Sequence, residues 1–77
     1  MKLSSLNVGD SACIKNIQGN NDLTIHLMEM GLVKNTKIKV IKIINNKELI
    51  VIKYRGEVMS ITLDIAHMIE VYDNSNR

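Results

Sequence analysis

The 77-residue sequence contains no phenylalanine, tryptophan or proline, and two tyrosines are its only aromatic residues. Many proteins that bind single-stranded nucleic acid stack bases on aromatic side chains, so this shortage argues against that class. Ten basic and eight acidic residues give a net charge of only +2, which is too balanced for a chain that neutralises many phosphates. We therefore expect no nucleic-acid partner.

Cysteine is almost absent as well, since Cys13 is the single one. This excludes an internal disulfide framework and any multi-cysteine zinc or iron–sulfur site. No apolar run reaches the roughly 18 residues that a membrane span needs, and the N-terminus lacks the basic-then-apolar pattern of a signal peptide. The free thiol and the missing export signal predict a cytoplasmic protein that does not insert into the membrane.

Aliphatic residues are what the sequence has in abundance. Hydrophobic residues make up 45% of the chain, and twelve of them are isoleucines. A chain this short buries only about 60–65% of the surface that its unfolded form exposes. We therefore expect one domain over residues 1–77 with a single aliphatic core, ending in a polar tail from about residue 73.

The first strand is predicted from Ser11 to Gln18, with Ile14 facing one side and Ile17 the other. Cys13 lies among apolar neighbours in this strand, which is typical of a small core residue. An Asn- and Asp-rich loop with good N-cap residues follows it.

One helix is predicted, from Leu23 to Met30, because Leu23, Leu27 and Met30 recur at i, i+4 and i+7. Gly31 follows at the place where a helix ends with a residue in the left-handed conformation, and Leu32 can fold back on the last turn. A helix of about eight residues is too short to be stable alone, so its apolar stripe must be buried.

From Thr36 onward the hydrophobic period is two, which predicts strands. In the first of them Ile41 and Ile43 fall on the side of Lys37 and Lys39, and this slip indicates a β-bulge. The remaining predicted elements are a tight turn at Asn45-Asn46, a strand from Lys47 to Tyr54, a strand from Val58 to Thr62, a helical turn from Leu63 to His67 capped by Thr62 or Asp64, and a strand from Met68 to Tyr72. Five short strands with one inserted helix indicate an all-β fold, a small barrel.

Three stretches of the sequence resemble the FeoA family, small accessory proteins of bacterial ferrous-iron transport. They are Leu3-x-x-Leu6-x-x-Gly9, then Leu27-x-x-Met30-Gly31-Leu32, and the stretch from Tyr54-Arg55-Gly56 through Ile61 to Ala66-His67-Met68-Ile69-x-Val71. The resemblance implies an SH3-like β-barrel. It also implies a partner, the membrane iron transporter FeoB, which has a cytoplasmic GTP-binding region.

Residues that could carry chemistry are few and scattered. Ser4, Ser5, Asp64 and His67 lack the flanking glycines of known nucleophiles, so we expect no enzyme. His26 and Glu29 have the i, i+3 spacing of two metal ligands on a helix, but a tight site needs three or four converging ligands. We expect no resident metal and no cofactor.

Two features point to partner binding. Ile25 and Met28 face away from the predicted helix stripe, beside Glu29, and an exposed apolar pair is typical of a docking surface. The alternative is that the barrel or the N-terminal residues cover this side of the helix. The second feature is a basic strip, either a solvated sheet face or a site for an acidic partner: Lys37, Lys39, Lys42, Lys53 and Arg55.

The sequence thus predicts an accessory protein that docks by its helix on the cytoplasmic region of FeoB and alters transport or GTP turnover. The predicted contact residues are Ile25, Met28, Glu29, Gly31, Lys53 and Arg55. Two alternatives stay open. One is a nucleic-acid- or ribosome-associated SH3-like barrel, which the turns at Val8-Gly9-Asp10 and Ile17-x-Gly19 resemble. The other is a free-standing relative of the C-terminal SH3-like domain of metal-dependent repressors. Weak self-association is also left open.

Overall fold

The computed structural model describes residues 1–19 and 21–73. A short 3₁₀ turn, Leu3–Ser5, precedes the first strand. The strands and helices then follow in this order: β1 (Ser11–Ile17), α1 (Asn21–Glu29), β2 (Lys37–Ile44), β3 (Leu49–Tyr54), β4 (Glu57–Thr62), α2 (Leu63–Met68) and β5 (Ile69–Asp73).

The five strands form one antiparallel sheet in the order β4-β3-β2-β1-β5. The first strand therefore lies between the second and the last, so the N- and C-terminal parts of the fold are joined through the sheet. Helix α1 is inserted between β1 and β2, and the short helix α2 connects β4 to β5. The predicted all-β fold, with five strands, one inserted helix and a C-terminal helical turn, is confirmed.

One side of the sheet carries the core, because side chains alternate between the two faces along each strand. Helix α1 adds Leu27 to this core, and α2 adds Ala66. The buried apolar residues are Leu3, Leu6, Ala12, Ile14, Leu27, Leu32, Ile38, Val40, Ile50, Ile52, Tyr54, Ile61, Ala66, Ile69 and Val71. The other side of the sheet is called the outer face below.

The predicted bulge lies in β2, where the pairing with β3 shifts between Val40 and Lys42. Because Ile41 is the extra residue, the strand resumes its alternation in the opposite phase. Ile43 packs against the core, and Lys42 joins Lys39 on the outer face. The slip in the sequence pattern thus marks a real bulge, but Ile43 does not share the lysine side as the simple alternation predicted.

A second bulge, between Ile14 and Asn16, was not predicted. It returns Ile17 to the core side, where it packs partly buried, so the prediction that Ile17 faces away from Ile14 is wrong. The prediction for Cys13 also needs correction. It is half-buried and lies opposite Lys37 of β2, on the outer face, because its neighbours in β1 take the core positions.

The turn after β2 is longer than predicted. Asn45, Asn46 and Lys47 all have positive φ angles, of 50°, 55° and 77°, and the Glu48 amide donates to the Asn45 carbonyl at 3.1 Å. The next strand therefore begins at Leu49 instead of Lys47. The Lys47 ammonium is turned inward instead and donates to the Ser4 carbonyl at 2.8 Å.

Candidate protein-interaction site

Helix α1 is anchored to the sheet by one side and leaves apolar residues on the other. Leu27 is buried at 3% exposure, whereas Ile25 is 53% exposed and Met28 51% exposed. Glu29 is also exposed and adjoins Ile25 at i+4 on the helix surface. We call Ile25, Met28 and Glu29 the helix patch. The predicted exposure of Ile25 and Met28 is confirmed, and the alternative that this side is covered is wrong for the described residues.

Met30 does not belong to the buried stripe, contrary to the prediction. It is 45% exposed because α1 ends at Glu29 and the chain reverses directly after it. Leu32, which is fully buried, supplies the apolar contact in its place. The core therefore holds α1 through Leu27 and Leu32, with Leu23 partly buried against them.

The predicted helix stop at Gly31 is confirmed in detail. The Gly31 amide donates to the Met28 carbonyl at 3.0 Å, and the Leu32 amide donates to the Leu27 carbonyl at 2.9 Å. This bond pair defines a Schellman motif. It requires a left-handed residue, and Gly31 has a φ of 96°. The helix begins at Asn21, two residues before the predicted start, and residue 20 before it lies outside the described residues.

Arg55 lies beside the Gly31 turn, although the two are far apart in sequence. Its guanidinium donates to the Thr36 hydroxyl at 3.4 Å, and that hydroxyl donates to the Gly31 carbonyl at 3.3 Å. The neighbouring Tyr54 hydroxyl donates to the Met30 carbonyl at 2.8 Å. The β3–β4 hairpin is therefore bonded to the end of α1. The structure thus brings Arg55 to the turn at Gly31 that ends α1.

Lys53 lies on a different surface from the helix patch. It is exposed and pairs with Lys39 of β2 and Val58 of β4, on the outer face of the sheet. Of the six predicted contact residues, five therefore surround the end of α1, and Lys53 belongs with the other lysines of the basic strip.

Met28 also borders a groove that could not be predicted from the sequence. The groove is open, has a volume of about 210 Å³, and runs between α1 and β1. Its lining residues come from three segments of the chain: Ile14, Lys15, Asn16, Ile17, Thr24, Met28, Leu32, Val33 and Lys34. The lining is mostly apolar carbon, with exposed lysines at positions 15 and 34. Such a groove can accept an apolar side chain flanked by acidic groups.

Two residues with reactive side chains, Ser4 and His67, form a hydrogen bond that was not predicted from the sequence. The Ser4 hydroxyl and His67 Nδ1 are 2.8 Å apart, although the two residues are 63 positions apart in the sequence. Ser4 is buried, and in the described part of the chain no carboxylate bonds to the His67 ring. The pair joins the N-terminal 3₁₀ turn to α2, and its burial and missing third group give it no catalytic geometry.

The other candidates for chemistry remain separate. His26 and Glu29 are both exposed on α1. Thr62 occupies the N-cap position of α2, but its side chain makes no capping bond. Within residues 1–19 and 21–73, no three His, Cys, Asp or Glu side chains gather where they could hold a metal ion. No helix in that part of the chain is long and apolar enough to cross a membrane.

Comparison with known families gives one match that spans nearly the whole chain. The model of the FeoA domain matches residues 1–73. A search of curated proteins by sequence finds no match.

Solved structures agree with the family match. The FeoA protein of Chlorobium tepidum is 27% identical and superposes with a TM-score of 0.91, covering 100% of this chain and 73% of that one. The FeoA of Stenotrophomonas maltophilia, solved with zinc and described as a prokaryotic SH3 domain protein, is 21% identical with a TM-score of 0.81. That match covers 94% of this chain and 89% of that one. The predicted SH3-like fold is confirmed.

The same fold occurs within larger regulatory proteins. A manganese-dependent transcriptional repressor, in complex with manganese, superposes with a TM-score of 0.87 at 15% identity. The match covers 95% of this chain but 36% of the repressor. At this identity the likeness concerns the fold alone.

Proposed function

The chain belongs to the FeoA family, and from this premise we propose that it is a cytoplasmic accessory protein that docks by its helix patch on the cytoplasmic region of a FeoB-type iron transporter. The family is linked to ferrous-iron transport and is an accessory family, with no known enzymes. The transporter as partner, the docking surface and the cytoplasmic location are the proposed part.

The observation that carries the proposal is the exposure of Ile25 and Met28 on a helix that is otherwise well anchored. Leu27 is 3% exposed on the same helix, while Ile25 and Met28 are each about half exposed. Folding gains little from apolar side chains left in water, and contiguous exposed apolar surface is typical of interaction sites. The helix patch therefore suits a protein partner.

The groove beside Met28 supports the same surface. An apolar side chain of the partner, inserted between α1 and β1, would contact Ile17, Met28 and Val33, which line the groove and are not fully buried. Methionine at the border suits this role because its unbranched, polarizable side chain adapts to the shape of a partner. An anchor residue in such a pocket commonly dominates the binding energy of an interface.

The proposed mechanism involves no bond chemistry in this chain. A protein that binds one conformation of the transporter's cytoplasmic region more tightly than another shifts the equilibrium toward that conformation. Docking would in this way alter transport or GTP turnover. Arg55 beside the Gly31 turn, with Lys53 on strand β3 of the same hairpin, would steer the approach to an acidic surface.

The test is the substitution Met28→Asp, measured by titration calorimetry against the purified cytoplasmic region of the transporter. Placing a carboxylate in an apolar contact should weaken binding by roughly 30-fold or more, because interface anchors are worth about 2 kcal/mol or more. The melting temperature should stay nearly unchanged, because Met28 is half exposed.

The matched control is Val8→Asp. Val8 is an apolar residue that is 58% exposed in the loop before β1, outside α1. The Val8→Asp variant adds the same negative charge as Met28→Asp and should bind the transporter region like the wild type. Binding of Met28→Asp at wild-type affinity would refute the helix patch as the docking surface. If Met28→Asp unfolds the chain, Ile25→Asp on the same patch replaces it.

A further inference from the structure

A group of lysines lies on the outer face of the sheet, on a different surface from the helix patch. Lys37, Lys39 and Lys42 of β2 and Lys53 of β3 are all exposed there, and we call these four the basic face. Lys39 lies directly opposite Lys53. The bulge at Ile41 places Lys42 opposite Val51, on the side of Lys39. Without the bulge, Lys42 would face the core.

The strands that carry the basic face have no negative charge of their own. A carboxylate elsewhere on the outer face, that of Glu70 on β5, pairs with Asn16 of β1 and is bonded to the Met1 ammonium at 3.4 Å. Strands β1, β2 and β3 contain no acidic residue. Glu57, the acidic residue of β4, pairs with Tyr54, whose side chain is buried on the core side. In the part of the chain that the structure describes, none of the four lysines forms an ion pair. Like charges directly opposite each other destabilise a sheet, so folding alone does not account for this arrangement.

The surroundings of the lysines suit an interface between water and lipid. Val58, which pairs with Lys53, is 60% exposed on the outer face. Tyr72 of β5 is 40% exposed, pairs with Cys13 on the same face, and has the Lys15 ammonium 5.5 Å from its ring centroid. Lysine and tyrosine side chains combine an apolar stem with a polar end, and they favour the headgroup region of membranes.

We propose that the basic face lies against the anionic phospholipid headgroups of the membrane. The location rests on the proposed function, since a chain docked on the cytoplasmic region of a membrane transporter is held close to the bilayer. The face has no arginine among its four cations, and lysine is a compact point charge that does not read the planar geometry of a particular acidic group. Binding to a diffuse anionic surface such as a lipid bilayer requires several positive charges close together, but no planar recognition of a single acidic group.

The test measures the partition of the purified chain onto vesicles of phosphatidylcholine with about 30% phosphatidylglycerol, by flotation at low and high salt. Each lysine close to an anionic surface raises the partition coefficient by about fivefold. The double variant Lys39→Gln/Lys53→Gln should therefore bind roughly 30-fold more weakly than the wild type. Wild-type binding should disappear in about 0.5 M salt, because ions screen these contacts.

The matched control is Lys2→Gln/Lys34→Gln, which makes the same change in net charge at positions outside the basic face. It should bind within about threefold of the wild type. Equal losses in both double variants would mean that net charge alone attracts the chain, and the assignment of the face would be wrong. Absence of wild-type binding at low salt would overturn it as well. So would tighter binding of a nucleic-acid oligonucleotide than of vesicles, with the same dependence on Lys39 and Lys53.

The result can be separated from the proposed docking. Met28→Asp should bind the anionic vesicles like the wild type, since Met28 lies on α1. A second double variant of the basic face, Lys39→Gln/Lys42→Gln, leaves Lys53 in place. It should lose vesicle binding to the same degree, yet bind the soluble cytoplasmic region of the transporter at near wild-type affinity in physiological salt. Loss of vesicle binding in Met28→Asp would contradict the basic face as the membrane contact, whatever the outcome for the transporter.

Discussion

At the scale of single residues, Gly31 joins the fold to the candidate site. Its φ of 96° allows the amide bonds that end α1 and return the chain to the core at Leu32. A Cβ at this position would lie 3.4 Å from the Tyr54 ring, an ordinary contact. The strain of a substitution here would therefore come from the backbone conformation, which residues with a Cβ rarely adopt.

Gly31→Ala should accordingly lower the free energy of unfolding by about 1–2 kcal/mol. Gly31→Asn, which adds a larger side chain but tolerates the left-handed conformation, should lose less. Urea denaturation would measure the unfolding free energies of both variants, provided that the dependence of that free energy on urea concentration stays the same as in the wild type. A larger loss for asparagine than for alanine would mean that crowding, and not the backbone angle, limits this position.

At the scale of elements, α1 is a nine-residue helix whose stability depends on its contacts with the sheet. A helix of this length is marginal in water by itself, so Leu27 and Leu32 must hold it. The side chains that face away contribute little to folding. One side of α1 therefore stabilises the fold, and the other side is exposed and can contact a partner. Mutations on the first side should lower the stability, and mutations on the second should leave it nearly unchanged.

Leu27→Ala should destabilise the protein by roughly 2–4 kcal/mol, because it leaves a cavity in the core. Ile25→Ala, two residues away and 53% exposed, should change the stability by less than about 0.5 kcal/mol. Urea melts of the two variants test this difference. Similar losses for both would mean that α1 is not oriented as described.

A feature of these elements can be predicted from the sequence when the residues that determine it are close together in the chain. The helix stop at Gly31 and the bulge in β2 were predictable because each depends on residues close together in the chain. The bulge between Ile14 and Asn16 was not predictable, since β1 has too few residues for a change in its alternation to be seen. The proximity of Arg55 to Gly31 and the groove beside Met28 depend on contacts between distant segments. No short-range pattern encodes them.

At the scale of the whole molecule, charge is segregated although its sum is small. The net charge is +2, yet the outer face carries four lysines while Asp22 and Glu29 lie on α1. The net charge of the chain therefore understates the positive electrostatic potential at the outer face. A surface with charges of one sign raises the association rate of an oppositely charged partner, and added salt reduces this increase.

Lys53→Glu and Arg55→Glu should each slow the association of the chain with the transporter's cytoplasmic region at low salt, with little change in the dissociation rate. Stopped-flow measurements over a salt series would show the difference vanishing at high salt. Lys2→Glu carries the same change in charge outside the site and should have a smaller effect. A salt-independent increase in dissociation would instead place Lys53 or Arg55 within the buried contact.

The central claim is that α1 is the surface that meets the transporter. The most direct test is an NMR titration of the labelled chain with the purified cytoplasmic region, following the methyl signals of Ile25 and Met28 and the amides of Glu29 and Gly31. The account predicts that these signals shift or broaden first, while those of Val58 and Ser60 on the outer face stay unchanged. Perturbations concentrated on β4 and the outer face, with Ile25 and Met28 unaffected, would contradict it.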